Sequence, residues 1–247
     1  MNRWSLTGVG LGVYALALIA IAPATLVDAG LQQGTQGRLR LTEARGTLWS
    51  GSGQMEIRAA GGQSVLSESL AWRIVPASLL RGQLVCEIGL AQAERHFPVT
   101  LSLSRIELAN ANISLPAAVL ELGVPKLAPL GLTGNVAIHV TSLSIARDAI
   151  VGSATVHWRA AGSALSPLSP LGDYEIQLNA EGGTVNALLG TIKGPLWLDG
   201  KGSWIHGNRP AFLGMARVEP PDQQRLAPLL RLIAIERSEG NFELQLN

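Results

Sequence analysis

The residues of this chain that could do chemistry are few and far apart. We find no Gly-x-Ser-x-Gly elbow, no His-Glu-x-x-His pair, no phosphate-binding loop and no cysteines at zinc spacing. His139 and His157 fall on the polar faces of two predicted strands and could meet across a hairpin, while Asp173 and Glu175 share one strand face. Cys86 is the single cysteine, which we interpret as a small buried side chain. Solvated side chains account for the other four, so we predict no enzyme, no metal site and no cofactor.

The net charge of the chain argues against some classes of binding partner. Residues 28–247 hold 18 of the 19 basic residues and all 18 acidic residues, so their formal charge is zero. This balance argues against a nucleic-acid partner and against electrostatic binding to anionic lipid. Charged residues make up 15% of the whole chain, below the usual share of about 25%. We expect a surface that small neutral residues cover or that a partner protein buries.

The elements that position these residues begin with an uncharged N-terminal segment, residues 4–27. As a helix, residues 4–22 would rise roughly 28 Å, about the thickness of a bilayer core. Arg3 before the segment favours a cytoplasmic N-terminus. We predict that residues 1–27 form a short cytoplasmic start and a transmembrane helix, and that residues 28–247 form a domain across the membrane, in a periplasm if the source is Gram-negative.

Two features of this segment carry further hypotheses. The sequence Ala-Pro-Ala at 22–24 has the small-x-small pattern of a signal-peptidase site, so a cleaved signal peptide is the alternative to an uncleaved anchor. Gly8 and Gly12 lie four residues apart, with Ala15 following, and this spacing would let a second helix approach closely. We predict that these three residues pack the membrane helix against a partner span.

Beyond the anchor, apolar and polar residues alternate with a period of two. Residues 173–180 are the clearest case, and 135–140, 155–160 and 241–247 repeat the pattern. This period indicates strands with one buried and one solvated face, and short glycine-rich connections favour antiparallel pairing. We predict a mainly β fold: an antiparallel, curved sheet or β-sandwich-like periplasmic domain behind one N-terminal transmembrane helix, with few short helices.

The predicted helices are short. Residues 76–81 and 114–123 have the proline, serine and glycine signals of single turns, and residues 222–233 carry an apolar stripe that could cover the apolar side of the sheet. Residues 111–132 are rich in proline, leucine and glycine and alternate little. If the domain has two lobes, we predict the seam there.

The chain also repeats short units. Residues 46–53 resemble residues 194–202, and residues 70–79 resemble residues 156–165, with glycine at strand ends and tryptophan beside it. This pattern predicts a long sheet of similar hairpins. The residues that we expect to form its structural motif are Trp49, Gly51, Trp72, Trp158, Tyr174 and Trp197.

The order of these stretches resembles a known family. A one-span N-terminus is followed by Ala-Arg-Gly-Thr-Leu-Trp-Ser-Gly at 44–51, Leu-Ala-Trp at 70–72, Leu-Ser-Pro-Leu-Gly-Asp-Tyr at 168–174 and Gly-Pro-Leu-Trp-Leu-Asp-Gly at 194–200. This order is similar to that of protein N of the bacterial type II secretion system and covers nearly the whole chain. The resemblance implies a single-pass protein of the bacterial inner membrane with a periplasmic β-rich domain and no catalytic residues.

Two functions follow from these patterns. The first, which the resemblance implies, is an accessory component that supports export of folded periplasmic proteins through the outer-membrane secretin, by contacts with other inner-membrane subunits or the secretin. The second is an envelope lipid-binding or lipid-transfer module, because an apolar sheet face could form a groove for an acyl chain. The sequence does not separate a packed face from an open one.

Overall fold

The two-residue alternation produces strands in both parts of the chain. The computed structural model describes residues 13–14, 17–58, 64–91, 96–123, 125–205, 211–238 and 241–246. The chain forms two compact units, an N-terminal unit, Met1–Ala91, and a C-terminal unit, Gln92–Asn247. The predicted seam at 111–132 lies within the C-terminal unit, where it spans the end of one strand and the connection to the next.

The N-terminal unit is an antiparallel meander with helix α1 (Thr25–Gly34) beside it. The strands are β1 (Leu39–Gly46), β2 (Ser50–Arg58), β3 (Ser64–Val75) and β4 (Gln83–Leu90), each paired with the next. A 3₁₀ helix at Pro76–Arg81 connects β3 to β4, as predicted, and Gly82 ends it in the left-handed conformation. On α1, the Asp28 carboxylate accepts a hydrogen bond from the Leu41 amide of β1 at 2.8 Å. The helix therefore occupies part of this strand edge.

The C-terminal unit is also antiparallel. Its strands are β5 (Phe97–Ser102), β6 (Arg105–Pro116), β7 (Leu132–Ala146), β8 (Ile150–Ser163), β9 (Gly172–Glu181), β10 (Thr184–Lys193), β11 (Leu196–Ile205), β12 (Ala211–Val218), β13 (Ala234–Ser238) and β14 (Asn241–Leu246). Strands β5 to β12 lie side by side in chain order, and β14 then β13 follow β12. The prediction of a mainly β, antiparallel fold with few short helices is confirmed.

Among the described residues of the C-terminal unit, the helices lie in two connections. Between β6 and β7, a 3₁₀ turn at Ala117–Val119, helix α2 (Leu120–Gly123) and a 3₁₀ helix at Pro125–Leu130 follow one another. The predicted helical turn at 114–123 begins later than expected, because Ser114 pairs with Ala137 of β7 and sheet pairing extends through Pro116. Helix α3 (Pro220–Ile233) begins two residues before its predicted start.

The core of the C-terminal unit lies under α3. Leu226 and Leu230 have no exposed surface and Leu229 is 3% exposed. They pack in a cluster with buried side chains of the sheet, among them Val136 and Leu196. The expected helical cover is therefore present at this part of the apolar side of the sheet.

A row of apolar side chains continues across five strands. Each residue lies opposite the next in the register of β6 to β10, and all of them are half-buried. This apolar row consists of Ile113, Ile138, Val156, Ile176 and Leu189. It shows that one side of the sheet stays apolar across these five strands, as the alternation predicted.

The N-terminal segment is described in part. Among the residues that the structure describes, no helix combines the length and hydropathy needed to cross a membrane. Most of the predicted span lies outside those residues, and so do Gly8, Gly12 and Ala15. The transmembrane helix, its packing residues and the division at residue 27 stay predictions.

The buried stripe of α3 gives a stability prediction. Leu230→Ala should lower the free energy of unfolding by about 2–5 kcal/mol, because it leaves a cavity in the core cluster. Leu213→Ala is the matched control: Leu213 is 60% exposed, so we expect a loss below about 1 kcal/mol. Urea denaturation of the detergent-solubilised chain, followed by circular dichroism, measures both. Equal losses for the two variants would contradict a core under α3.

Candidate functional site

The Tyr174 side chain on β9 contacts two other strands of the C-terminal unit, β8 and β11. Its side chain is 2% exposed, and its hydroxyl donates a hydrogen bond to the Leu196 carbonyl of β11 at 2.9 Å. Its ring centroid lies 5.9 Å from that of Trp158 on β8, with the ring planes inclined by 54°. The Trp158 indole donates to the Thr133 carbonyl at 2.9 Å. Because burial opposes ionisation, the pKa of Tyr174 is raised.

Gly172 and Gly194, from the stretches at 168–174 and 194–200, make close backbone contact beside Tyr174. A Cβ placed on Gly194 would lie 2.3 Å from the Cα of Gly172, and Gly194 has a φ of +135°. The Leu196 amide donates to the Leu171 carbonyl at 3.1 Å. The sequence therefore needs glycine at both positions, so that the stretches at 168–174 and 194–200 can meet.

The Asp173 carboxylate on β9 stabilises a β-bulge-like break in the neighbouring strand β8. The Ala160 amide donates to Asp173 Oδ1 at 2.7 Å, and Ala160 has a φ of +47°, in a break of the β8–β9 register. Lys193 Nζ lies 3.3 Å from Asp173 Oδ2. The amide hydrogen bond, aided by Lys193, holds the pKa of Asp173 below its usual range. The geometry gives this carboxylate a positioning role, because it stabilises a strained backbone.

Trp72 and Gly51 form the corresponding contact in the N-terminal unit. They lie opposite each other on β3 and β2, and a Cβ on Gly51 would lie 2.5 Å from the Trp72 ring. The Trp72 indole is 5% exposed and donates to the Leu48 carbonyl at 3.0 Å. Close contact of a tryptophan ring with a glycine therefore helps to build the core here.

Trp49 binds the end of the N-terminal segment. Its indole donates to the Ile19 carbonyl at 2.8 Å, and the Leu48 amide donates to the Ala22 carbonyl at 2.8 Å. Ala24 is 2% exposed, in the same cluster as Trp72. The turn between β1 and β2 thus fixes residues 19–24 on the N-terminal unit.

Trp197 lies apart from both clusters. It is 45% exposed and faces Arg217 across β11 and β12. The structure thus brings together Trp158 and Tyr174 in one unit, and Gly51 and Trp72 in the other. Trp49 lies beside the second pair.

His139 and His157 line one cavity on the polar side of the sheet. The cavity has a volume of about 730 Å³, and Asn112, Thr155 and Glu175 also line it. His139 Nδ1 contacts Asn112 Oδ1, and His157 Nε2 lies 3.2 Å from Glu175 Oε2. In the described part of the chain, no three metal-ligating side chains gather to hold an ion. Each histidine has a polar partner of its own.

Sequence reasoning missed several residues of these clusters. Leu196 acts through its carbonyl, and Ala160 through its amide, so neither side chain marks the role. The sequence does contain a local signal for the pairing of β9, the strand that carries Tyr174: two consecutive glycines after the strand. Gly182 and Gly183, both with positive φ, form the turn that sets the register of β9 on β10.

The Tyr174 contact gives a prediction with two readouts. Tyr174→Phe should lower the free energy of unfolding at neutral pH by about 1 kcal/mol, through loss of one buried hydrogen bond. The folded state raises the pKa of Tyr174, so its contribution is complete below about pH 10 and declines as the pH rises further. Urea denaturation should therefore show a smaller difference between the two proteins at about pH 11. Trp197→Phe is the control, and its free energy of unfolding should stay within about 0.5 kcal/mol of the wild-type value. If Tyr174→Phe lowers the free energy of unfolding by no more than this control does, the assigned hydrogen bond is contradicted.

One comparison with known proteins gives a match, over residues 37–245. No curated protein and no solved structure matches the chain. The family model for protein N of the type II secretion system matches residues 37–245, which include every signature residue placed above from Trp49 to Trp197. Membership indicates a component of that secretion system, with a location in the cell envelope and contacts with its other components. The chain belongs to the type II secretion system protein N family.

Proposed function

We propose that this protein is an accessory, single-pass component of the bacterial inner membrane that supports export of folded periplasmic proteins through the outer-membrane secretin. It acts by contacts with other secretion subunits and not as an enzyme. The observation that carries the proposal is the family match over residues 37–245, which spans most of both units.

The N-terminal contacts support an uncleaved anchor. The carbonyl of Ala22 accepts a main-chain hydrogen bond from the β1–β2 turn, and Ala24 is 2% exposed. Cleavage after Ala24 would remove both residues and, with them, these contacts of the folded unit. The contacts lie inside the uncharged segment, as expected where a membrane helix passes directly into its domain.

Strand edges are the surfaces that we propose for partner contacts. On β1, the Leu41 amide already donates a hydrogen bond to Asp28 of α1. Strand β13 (Ala234–Ser238) is last in the order of the C-terminal unit, with β14 as its one neighbour among the described strands. A strand edge of this kind can pair with an extended segment of another protein. We therefore place a subunit contact on β13.

The alternative function is an envelope lipid-binding or lipid-transfer module. The observation that favours it is the apolar row, whose five side chains are half-buried. The core cluster packs against Ile138 and Val156 of this row. In the alternative, an acyl chain would lie along the rest of the row.

Deletion of the gene separates the two functions. In the secretion proposal, exported enzymes should accumulate folded and active in the periplasm, and the wild-type gene should restore their export. Normal export after deletion would contradict it. In the alternative, outer-membrane permeability should rise whether or not a substrate is being exported, and lipid should co-purify with the protein.

A photo-crosslinking residue tests the proposed edge. Placed at position 237 in β13, it should link the protein to a secretion subunit in intact cells. The same residue at Ser67, an exposed position of β3, is the control and should give no link. Equal linking at both positions would remove β13 as the specific contact.

A further inference from the structure

One end of the N-terminal unit gathers three segments. The register Gly51–Trp72 places the β1–β2 turn beside the end of β3, where the 3₁₀ helix at Pro76–Arg81 begins. Residues 19–24 bind the same turn, through Trp49 and Leu48. The N-terminal segment, the turn and the 3₁₀ helix therefore lie at a common end, which we call the anchor end.

The anchor end presents two leucines to solvent. Leu79 is 44% exposed and Leu80 is 92% exposed. Both lie in an ordered connection: Ser78 Oγ donates to the Val75 carbonyl at 2.7 Å and accepts from the Val85 amide at 3.0 Å. A fixed turn thus holds two adjacent apolar side chains in solvent.

We propose that the anchor end rests on the phospholipid surface of the membrane, with Leu79 and Leu80 at the boundary between headgroups and acyl chains. The inference rests on the proposed function, because it takes the N-terminal segment as a membrane anchor. Leu18, Ile19 and Ile21, which lead into the anchor end, are themselves 49%, 53% and 69% exposed. A bilayer that receives these side chains also lies next to the leucine turn.

The composition of the anchor end fits a bilayer surface. Trp49 is half-buried and its indole binds Ile19, so an amphipathic ring lies where the segment leaves the folded unit. Tryptophan is enriched at the level of lipid headgroups. Arg81, directly after the leucines, is exposed and can reach lipid phosphates while Leu80 turns inward.

Depth-dependent quenching tests the proposal with the full chain. A nitrobenzoxadiazole label is attached at Ala77→Cys in a Cys86→Ser background, which leaves both leucines in place. Ala77 is an exposed residue of the same 3₁₀ helix. The chain is reconstituted in phosphatidylethanolamine–phosphatidylglycerol vesicles with or without brominated acyl chains. We expect the brominated chains to lower the fluorescence at position 77 at least about twofold.

Two matched variants make the result specific. The label at Ser67→Cys, an exposed site opposite Glu56 toward the other end of the unit, should not be quenched. Leu80→Glu should abolish quenching at position 77, and since Leu80 is 92% exposed this change removes little folded packing. Quenching that persists in Leu80→Glu, or that is equal at positions 67 and 77, would overturn the proposal.

Carbonate extraction separates this inference from the proposed function. If the vesicles retain the chain but position 77 is not quenched, the anchor stands and the docking of the leucine turn is wrong. If carbonate releases the chain, the anchor itself is wrong and the docking proposal falls with it.

Discussion

In each unit an aromatic ring lies so close to a glycine of the neighbouring strand that no side chain fits at the glycine position. A Cβ on Gly51 would lie 2.5 Å from the ring of Trp72, and a Cβ on Gly200 would lie 2.3 Å from the ring of Phe212. Any side chain at these glycines would push the ring away from the sheet. The chain has six tryptophans, two tyrosines and three phenylalanines, so each ring supplies a large share of the apolar contact. This constraint explains why glycine is needed at positions 51 and 200.

The strands were predictable from the sequence because their cause is local. A period of two at 173–180 reports which side chains of β9 are buried, and Tyr174 and Ala180 are indeed buried. The helical turn at 114–123 was placed too early because serine capping is a weaker influence than pairing with β7. Local patterns thus fix the type of each element better than its ends.

The clusters could be predicted only in part, because main-chain atoms make their decisive contacts. The pattern singled out Tyr174 and Trp72, but not that their polar atoms bind the carbonyls of Leu196 and Leu48. The positive φ of Ala160 has no signature in an alanine. The binding of Ile19 by Trp49 joins residues 30 positions apart, and no local rule sets that distance.

We propose that the N-terminal segment stays on the protein and attaches it to the membrane. The contacts of residues 19–24 with the β1–β2 turn support this proposal. The intact mass of the protein, extracted from membranes of cells that make it at natural levels, tests it directly. We predict the mass of a chain that retains its N-terminal segment, found in the membrane fraction. A soluble protein whose mass corresponds to a chain starting at Thr25 would contradict it.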